Sequence, residues 1–183
     1  MDRMSTAFCI HPTPLGPALI AVSADGLCAL EVLEESPGAA EGALAALAEA
    51  RHESPRMDAD ATAEVAAQLD AYFAGERRDF ELALDLGAIS GFVRAALEQI
   101  LVVPYGETAT YAEIAILAGS PGANRAVGSA CARTPISIVL PAHRIVRSDG
   151  SIGEYGGRPA HKRFLLDLEA RGAAQTPRAL PAE

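Results

Sequence analysis

The chain has 183 residues, 50% of them apolar and 21% charged, enough for one large or two small domains with a sizeable core and unlike a disordered, fibrous or disulfide-rich composition. The formal net charge of −9 argues against nucleic acid, but residues 1–87 hold 5 Arg against 16 Asp and Glu, whereas residues 88–172 hold 9 Lys and Arg against 7 Asp and Glu. An anionic partner would therefore be met by the second half. No apolar run reaches the roughly 18 residues of a membrane span, and the opening Met1-Asp2-Arg3-Met4-Ser5-Thr6 has no signal-like apolar core. The cysteines Cys9, Cys28 and Cys131 are scattered and form no CxxC. A reduced, cytoplasmic setting without disulfides or a metal cluster is the expectation.

Along the chain, "STAFCIHPT", "GPALIAVSA" and "GLCALEVLE" are short β-favouring runs separated by Pro-Leu-Gly and Ala-Asp-Gly turns, which predicts an antiparallel meander. "PGAAEGALAALAEARHE" is alanine-rich and helical, and "ESPRMDADAT" reads as a loop. Val65, Leu69 and Phe73 repeat at the spacing of an amphipathic helix ending near Gly75. An extended stretch, "FELALDLGAISG", places a boundary near Leu86–Ser90.

The second half reads as helical. A helix from about Gly91 to Leu101 is stopped by Pro104. Thr110 and Glu113 fit a capping box, and Tyr111, Ile114, Ala115 and Ala118 share one face of the helix that follows. Gly119-Ser120-Pro121-Gly122 breaks the chain before a third short helix, Ala123 to Arg133. Two helices joined by a tight glycine-containing turn are a helix-turn-helix candidate, or an ordinary helical hairpin. On the third helix Val127 and Cys131 can pack inward, leaving Arg125, Gly128, Ser129 and Ala132 on a flat outer face. A helical glycine costs about 1 kcal/mol relative to alanine, and close approach of another backbone, in a duplex or a neighbouring helix, is the usual compensation. "VLPAHRIVRSDG" then sets His143 and Arg144 directly behind a buried-looking run, next to Ala142.

From Val103 to Glu169, "VPYGETATYAEIAILAGSPGANRAVGSACARTPISIVLPAHRIVRSDGSIGEYGGRPAHKRFLLDLE" resembles the core of the O6-alkylguanine-DNA alkyltransferases, the methylated-DNA–protein-cysteine methyltransferases. The resemblance is close over residues 88–172 and looser over 1–87, where it includes Pro14-Leu15-Gly16 and "YFAGERRDFEL". It implies an α/β, RNase H-like N-terminal domain (1–87), a mostly α DNA-binding and lesion-pocket domain with a helix-turn-helix (88–172), and a disordered tail (173–183). In that family a minor-groove-bound helix-turn-helix accompanies flipping of the damaged base, and a cysteine thiolate takes the alkyl group. The cysteine stands in a Pro-Cys-His-Arg signature, which here reads Pro141-Ala142-His143-Arg144. Alanine has no lone pair with which to accept an alkyl group.

By the same resemblance, His143 matches the general base and Glu169 the carboxylate that orients it. Tyr111 matches the tyrosine that rotates the 3′ phosphate. Arg125 matches the arginine that fills the base stack, with Ala126, Gly128, Ser129 and Arg144 at the DNA. Val139, Pro141, Tyr155, Gly156 and Gly157 match the lesion pocket. Thr134 stands where the family usually has a hinge asparagine, and Ser23 where zinc-bearing members have a cysteine. No metal and no cofactor are expected. The implied partner is duplex DNA containing alkylated guanine, bound by a monomer, with nucleotide excision repair proteins downstream and no membrane. Three readings stay open: an alkyltransferase-like lesion sensor, a methyltransferase whose cysteine was changed to alanine, and a helix-turn-helix regulator with a relic site.

Overall fold

The computed structural model describes residues 5–87 and 89–175. The meander forms as expected: β1 (Ala7–Thr13), β2 (Gly16–Ser23) and β3 (Gly26–Val32) pair antiparallel in sequence order. Gly26 makes the second turn at φ 130°, and a side chain there would collide with the Ala83 carbonyl, so both conformation and space require glycine.

Alternation along β2 divides the sheet's two faces. Leu19 and Ala21 pack with Leu47 of α1 (Ala39–Arg51), whereas Ala18 and Ile20 pack with Val65, Leu69 and Tyr72 of α2 (Ala59–Phe73). Asp58 caps α2 by accepting from the Ala61 amide at 3.1 Å. The stretch expected to be a loop before α2 contains β4 (Arg56–Met57), which pairs parallel with Ala7 and Phe8 and completes the sheet order β3-β2-β1-β4. Two residues are too few to show a period-2 pattern in sequence; the pairing is made by backbone bonds from Arg56 to Thr6 and from Asp58 to Phe8.

The second half holds α3 (Gly91–Leu101), β5 (Ala109–Thr110), α4 (Tyr111–Leu117), α5 (Asn124–Ala132), a 3-10 turn over Ala142–Arg144, β6 (Ile145–Val146) and α6 (Pro159–Ala174). The short parallel pair β5–β6, which carries no sequence signal, ties the start of α4 to the segment after the 3-10 turn. Helix α6 runs through Ala173 and Ala174, so the expected tail does not begin at 173; its residues 176–183 lie outside the described residues.

One apolar cluster runs through both halves, from Ile20 and Leu69 to Ile100, Ile114, Val127 and Leu165. The seam is also hydrogen-bonded. Leu30 donates to the Pro135 carbonyl at 2.9 Å and accepts from Ser137 at 2.8 Å, so β3 holds the strap that leads to residue 142.

Candidate functional site

The capping box at the start of α4 is present. The Glu113 carboxylate accepts from the Thr110 amide at 2.7 Å, and Thr110 Oγ1 accepts from the Glu113 amide at 3.2 Å. It sets Tyr111 at the first turn of α4. On α5, Val127 is fully buried, and Arg125, Ala126 and Ser129 are exposed, as the helical period requires. Among the described residues an alanine side chain at Gly128 would meet only the Tyr111 ring edge of α4 at 3.9 Å, an ordinary contact, so no neighbouring backbone approaches that glycine closely.

Residues 134–144 reach the site through tight turns. The Thr134 hydroxyl accepts from the Ile136 amide at 3.4 Å. Ile138 sits at φ 70°, an unfavourable conformation for a β-branched residue, bridged by the Val139 amide to the Ser137 carbonyl at 2.7 Å. Pro141, at φ −81° and ψ 59°, makes a second such turn, closed from the Ala142 amide to the Leu140 carbonyl at 2.8 Å. Local strain of this kind persists where surrounding structure over-determines it. Here the buried neighbours are Ile136, Leu140 and Ile145.

Behind the strap lies a buried polar cluster centred on Glu169. Its Oε1 accepts from Tyr72 Oη at 2.7 Å, His143 Nε2 at 2.8 Å and Arg144 Nη2 at 2.9 Å; its Oε2 accepts from Arg144 Nε at 2.9 Å and the Gly106 amide at 3.0 Å. Burial alone would raise the Glu169 pKa, but the hydrogen bonds from His143 and Arg144 and the Arg144 charge bring it down to about 2. Burial pushes His143 down, against the pull of Glu169, so the imidazole is neutral at physiological pH. With its Nε2 hydrogen donated to an anion, His143 keeps a lone pair on Nδ1. That atom is buried and has no hydrogen-bond partner among the described residues, and the neighbouring residue in the chain is Ala142.

Two cavities meet at Tyr155, whose ring centre lies 6.4 Å from that of His143. The larger, about 660 Å³, opens between α4, α5 and the 147–156 loop and is lined by Tyr111, Arg125, Gly128, Ser129 and Arg147. The smaller, about 220 Å³, lies against the first half. Tyr155 and Gly156 line both cavities; Gly157 lines neither and is exposed. Val139, Pro141, Ala142 and His143 are buried and line neither cavity.

Arg144, expected at the DNA, is instead buried. Its guanidinium binds Glu169 and the Val103 carbonyl and stacks over Tyr105, because a carboxylate held at pKa about 2 inside the core requires a matching cation. Sequence reasoning missed Tyr72, which reaches the site from α2, and Lys162. The Lys162 side chain is fully buried, donates to the Ile145 and Glu154 carbonyls, and lies 5.7 Å from the centre of the Tyr111 ring. Lys162 stands one turn before Leu165 in α6, and only its position on the buried side of that helix, with Leu165 and Glu169, could have marked it. Among the described residues no group of His, Cys, Asp or Glu is placed to hold a metal ion, and the Ser23 hydroxyl donates to Asp85 at 2.6 Å.

Comparison with known proteins agrees with this architecture. Residues 9–86 match the 6-O-methylguanine DNA methyltransferase, ribonuclease-like domain, and residues 91–171 match the 6-O-methylguanine DNA methyltransferase, DNA binding domain. A Mycobacterium leprae methylated-DNA–protein-cysteine methyltransferase is 37% identical over 161 residues, covering 86% of this chain and 88% of the relative. A Thermus thermophilus protein named DNA base-flipping protein is 37% identical over 161 residues, covering 86% and 96%. The crystal structure of Mycobacterium tuberculosis OGT in complex with DNA superposes with a TM-score of 0.76 at 34% identity, covering 92% of this chain and 94% of that one. Matched in both halves and across most of its length, the chain belongs to the 6-O-methylguanine DNA methyltransferase family.

Proposed function

We propose that the protein is a DNA repair factor that binds duplex DNA, takes an O6-alkylguanine out of the stack and holds it without removing the alkyl group. The observation that carries this reading is the His143–Glu169 pair. Carboxylate, neutral imidazole and free Nδ1 lone pair are all in place, and the residue beside them is Ala142. A base with no thiol to deprotonate cannot generate the thiolate that alkyl transfer needs. Cys131 is no substitute, because burial, only partly offset by Lys162, pushes its thiol up to about 11.

Recognition does not need the thiol. Extruding a nucleotide costs a few kcal/mol, least for a damaged pair. Phosphate contacts and a side chain filling the vacated stack can repay that cost. Arg125 and Tyr111 line the 660 Å³ cleft and suit those two roles. The existence of a relative named as a base-flipping protein over nearly the same length supports the reading. Residues 88–172 would form the DNA-binding unit and residues 1–87 its scaffold. The protein would act as a cytoplasmic monomer that marks lesions for nucleotide excision repair.

The test is equilibrium binding at one fixed salt concentration, comparing a duplex with one O6-methylguanine against the same duplex with guanine. A clear preference for the lesion, lost in Arg125→Ala, is expected. Equal affinity for the two duplexes would overturn the reading and leave a helix-turn-helix binder with a relic site.

A further inference from the structure

β3 is an edge strand of the sheet, and an edge strand turns outwards a row of backbone groups that need partners. Its outer edge is occupied at three places. Leu27 donates to the Ala83 carbonyl at 2.8 Å and accepts from the Asp85 amide at 2.9 Å. Leu30 holds the strap at Pro135 and Ser137. At the third place, the buried Val32, a side chain takes the carbonyl: Arg158 Nη1 donates to it from 126 residues away. Arg158 Nη2 also lies 3.8 Å from Glu34, but that carboxylate is 71% exposed, and an open ion pair of this length contributes little. The Val32 carbonyl is the anchor.

Arg158 stands where a loosely held segment meets a helix. Between β6 and α6, residues 147–158 form no helix or strand. Gly150, Gly153, Gly156 and Gly157 all have positive φ, from 55° to 81°. The segment folds back on itself between the Arg147 amide and the Ser151 carbonyl at 2.9 Å, and Lys162 reaches the Glu154 carbonyl at 3.4 Å. Backbone held by so few bonds opens locally at low cost. Its far end is a tight turn over Gly156 and Gly157, closed from the Arg158 amide to the Tyr155 carbonyl at 2.9 Å. The Arg158 carbonyl then accepts from the His161 amide at 3.1 Å, in the first turn of α6. One residue therefore closes the turn, begins the helix and ties both to β3.

The same segment supplies six of the residues that line the 660 Å³ cleft, Arg147 to Asp149 and Glu154 to Gly156. We infer that Arg158 is a positioning residue: its bond to Val32 fixes the 147–158 segment on the first half of the chain, so that β3 sets the cleft wall and with it the protein's grip on a damaged base. This rests on the lesion-holding reading above. Tyr111 and Arg125 sit on α4 and α5, outside the segment. Contacts that they make with any duplex, damaged or not, do not depend on Arg158.

Hydrogen–deuterium exchange of the full chain, followed by mass spectrometry, reads the segment directly, and duplex binding reads the consequence. Both are measured for the unaltered protein, Arg158→Ala, Arg158→Lys and Glu34→Ala. In Arg158→Ala, exchange should rise in residues 147–158 and stay unchanged in β2. Affinity for an O6-methylguanine duplex should fall about tenfold, the scale of one bond from a charged donor, with the guanine duplex unaffected. Lysine can still donate to a carbonyl, so Arg158→Lys should recover much of both, and Glu34→Ala should match the unaltered protein. Unchanged exchange in 147–158, or faster exchange there with no loss of lesion affinity, would overturn the positioning role. So would equal losses on the two duplexes, or faster exchange in β2 as well, since either makes Arg158 a general stabiliser. A loss in Glu34→Ala as large as that in Arg158→Ala would overturn the Val32 anchor. No preference of the unaltered protein for the lesion would overturn the lesion reading and the binding half of this inference, and exchange would still decide whether Arg158 holds the segment.

Discussion

Glu169 Oε1 lies 2.8 Å from His143 Nε2, in a pocket where both side chains are almost wholly removed from solvent. The carboxylate is ionised and the imidazole neutral, and this arrangement makes stability depend on pH in two separate windows. His143 has a folded pKa below its ordinary 6.5. The unfolded chain therefore binds that proton more readily, and stability present at neutral pH is lost as pH falls below about 6.5. Glu169 has a folded pKa of about 2 against an ordinary 4.5. Its contribution, on the order of 3 kcal/mol, is present above about 4.5 and lost as pH falls towards 2. Urea unfolding followed by circular dichroism should show two successive declines. In His143→Gln the upper one should be largely gone and the lower one retained; an unchanged upper decline would mean that another group titrates there. The half-exposed His161 shifts in the same direction and adds a small residue to the upper window.

Tyr72 joins the N-terminal half to this cluster through a 2.7 Å hydrogen bond from its hydroxyl to Glu169. Tyr72→Phe keeps the ring against Phe80 and Tyr105 and removes only the donor. A hydrogen bond to a charged acceptor contributes about 1.5–3 kcal/mol. We expect a loss in that range by denaturant titration at pH 7, shrinking as pH falls towards 2 and Glu169 takes up a proton. A loss that stayed constant over that range would show that the bond is not made to the carboxylate.

Ala142→Cys would add a thiol next in the chain to His143, whose buried Nδ1 has no hydrogen-bond partner among the described residues. Intact-protein mass spectrometry after incubation with an O6-methylguanine duplex should then show one added methyl group, mapped to position 142. The unaltered chain should show none, at Cys131 or elsewhere. Transfer to the unaltered chain would contradict the lesion-holding function directly.

Gly128→Ala separates fold from binding. The helix has room for the methyl group, 3.9 Å from the Tyr111 ring. Replacing a mid-helix glycine should therefore stabilise the protein by up to about 1 kcal/mol, seen as a higher Tm. The same methyl group stands on the wall of the 660 Å³ cleft, so affinity for duplex DNA should fall. A rise in Tm with unchanged DNA affinity would remove this face of α5 from the interface.

Much of this protein is determined locally. The meander, helices α1, α2 and α3, the capping box at Thr110–Glu113 and the break at Gly119–Gly122 follow from composition, period, caps and turn residues, because those signals act within a few residues of one another. The Pro141-Ala142-His143-Arg144 run is likewise legible as a candidate site, by its resemblance to the family's Pro-Cys-His-Arg signature. What the chain could not show alone is which charged residues are turned inwards. The family resemblance places Arg144 at the DNA. Only the approach of α6 and of the segment before β5 encloses it with Glu169 and the Val103 carbonyl. Tyr72 and Glu169 are 97 residues apart, and the wall shared by the two cavities joins α5 to the loop before α6. Contacts between distant segments have no period and no cap. They exist because burying one ionised carboxylate obliges the fold to gather its donors from wherever the packed elements bring them.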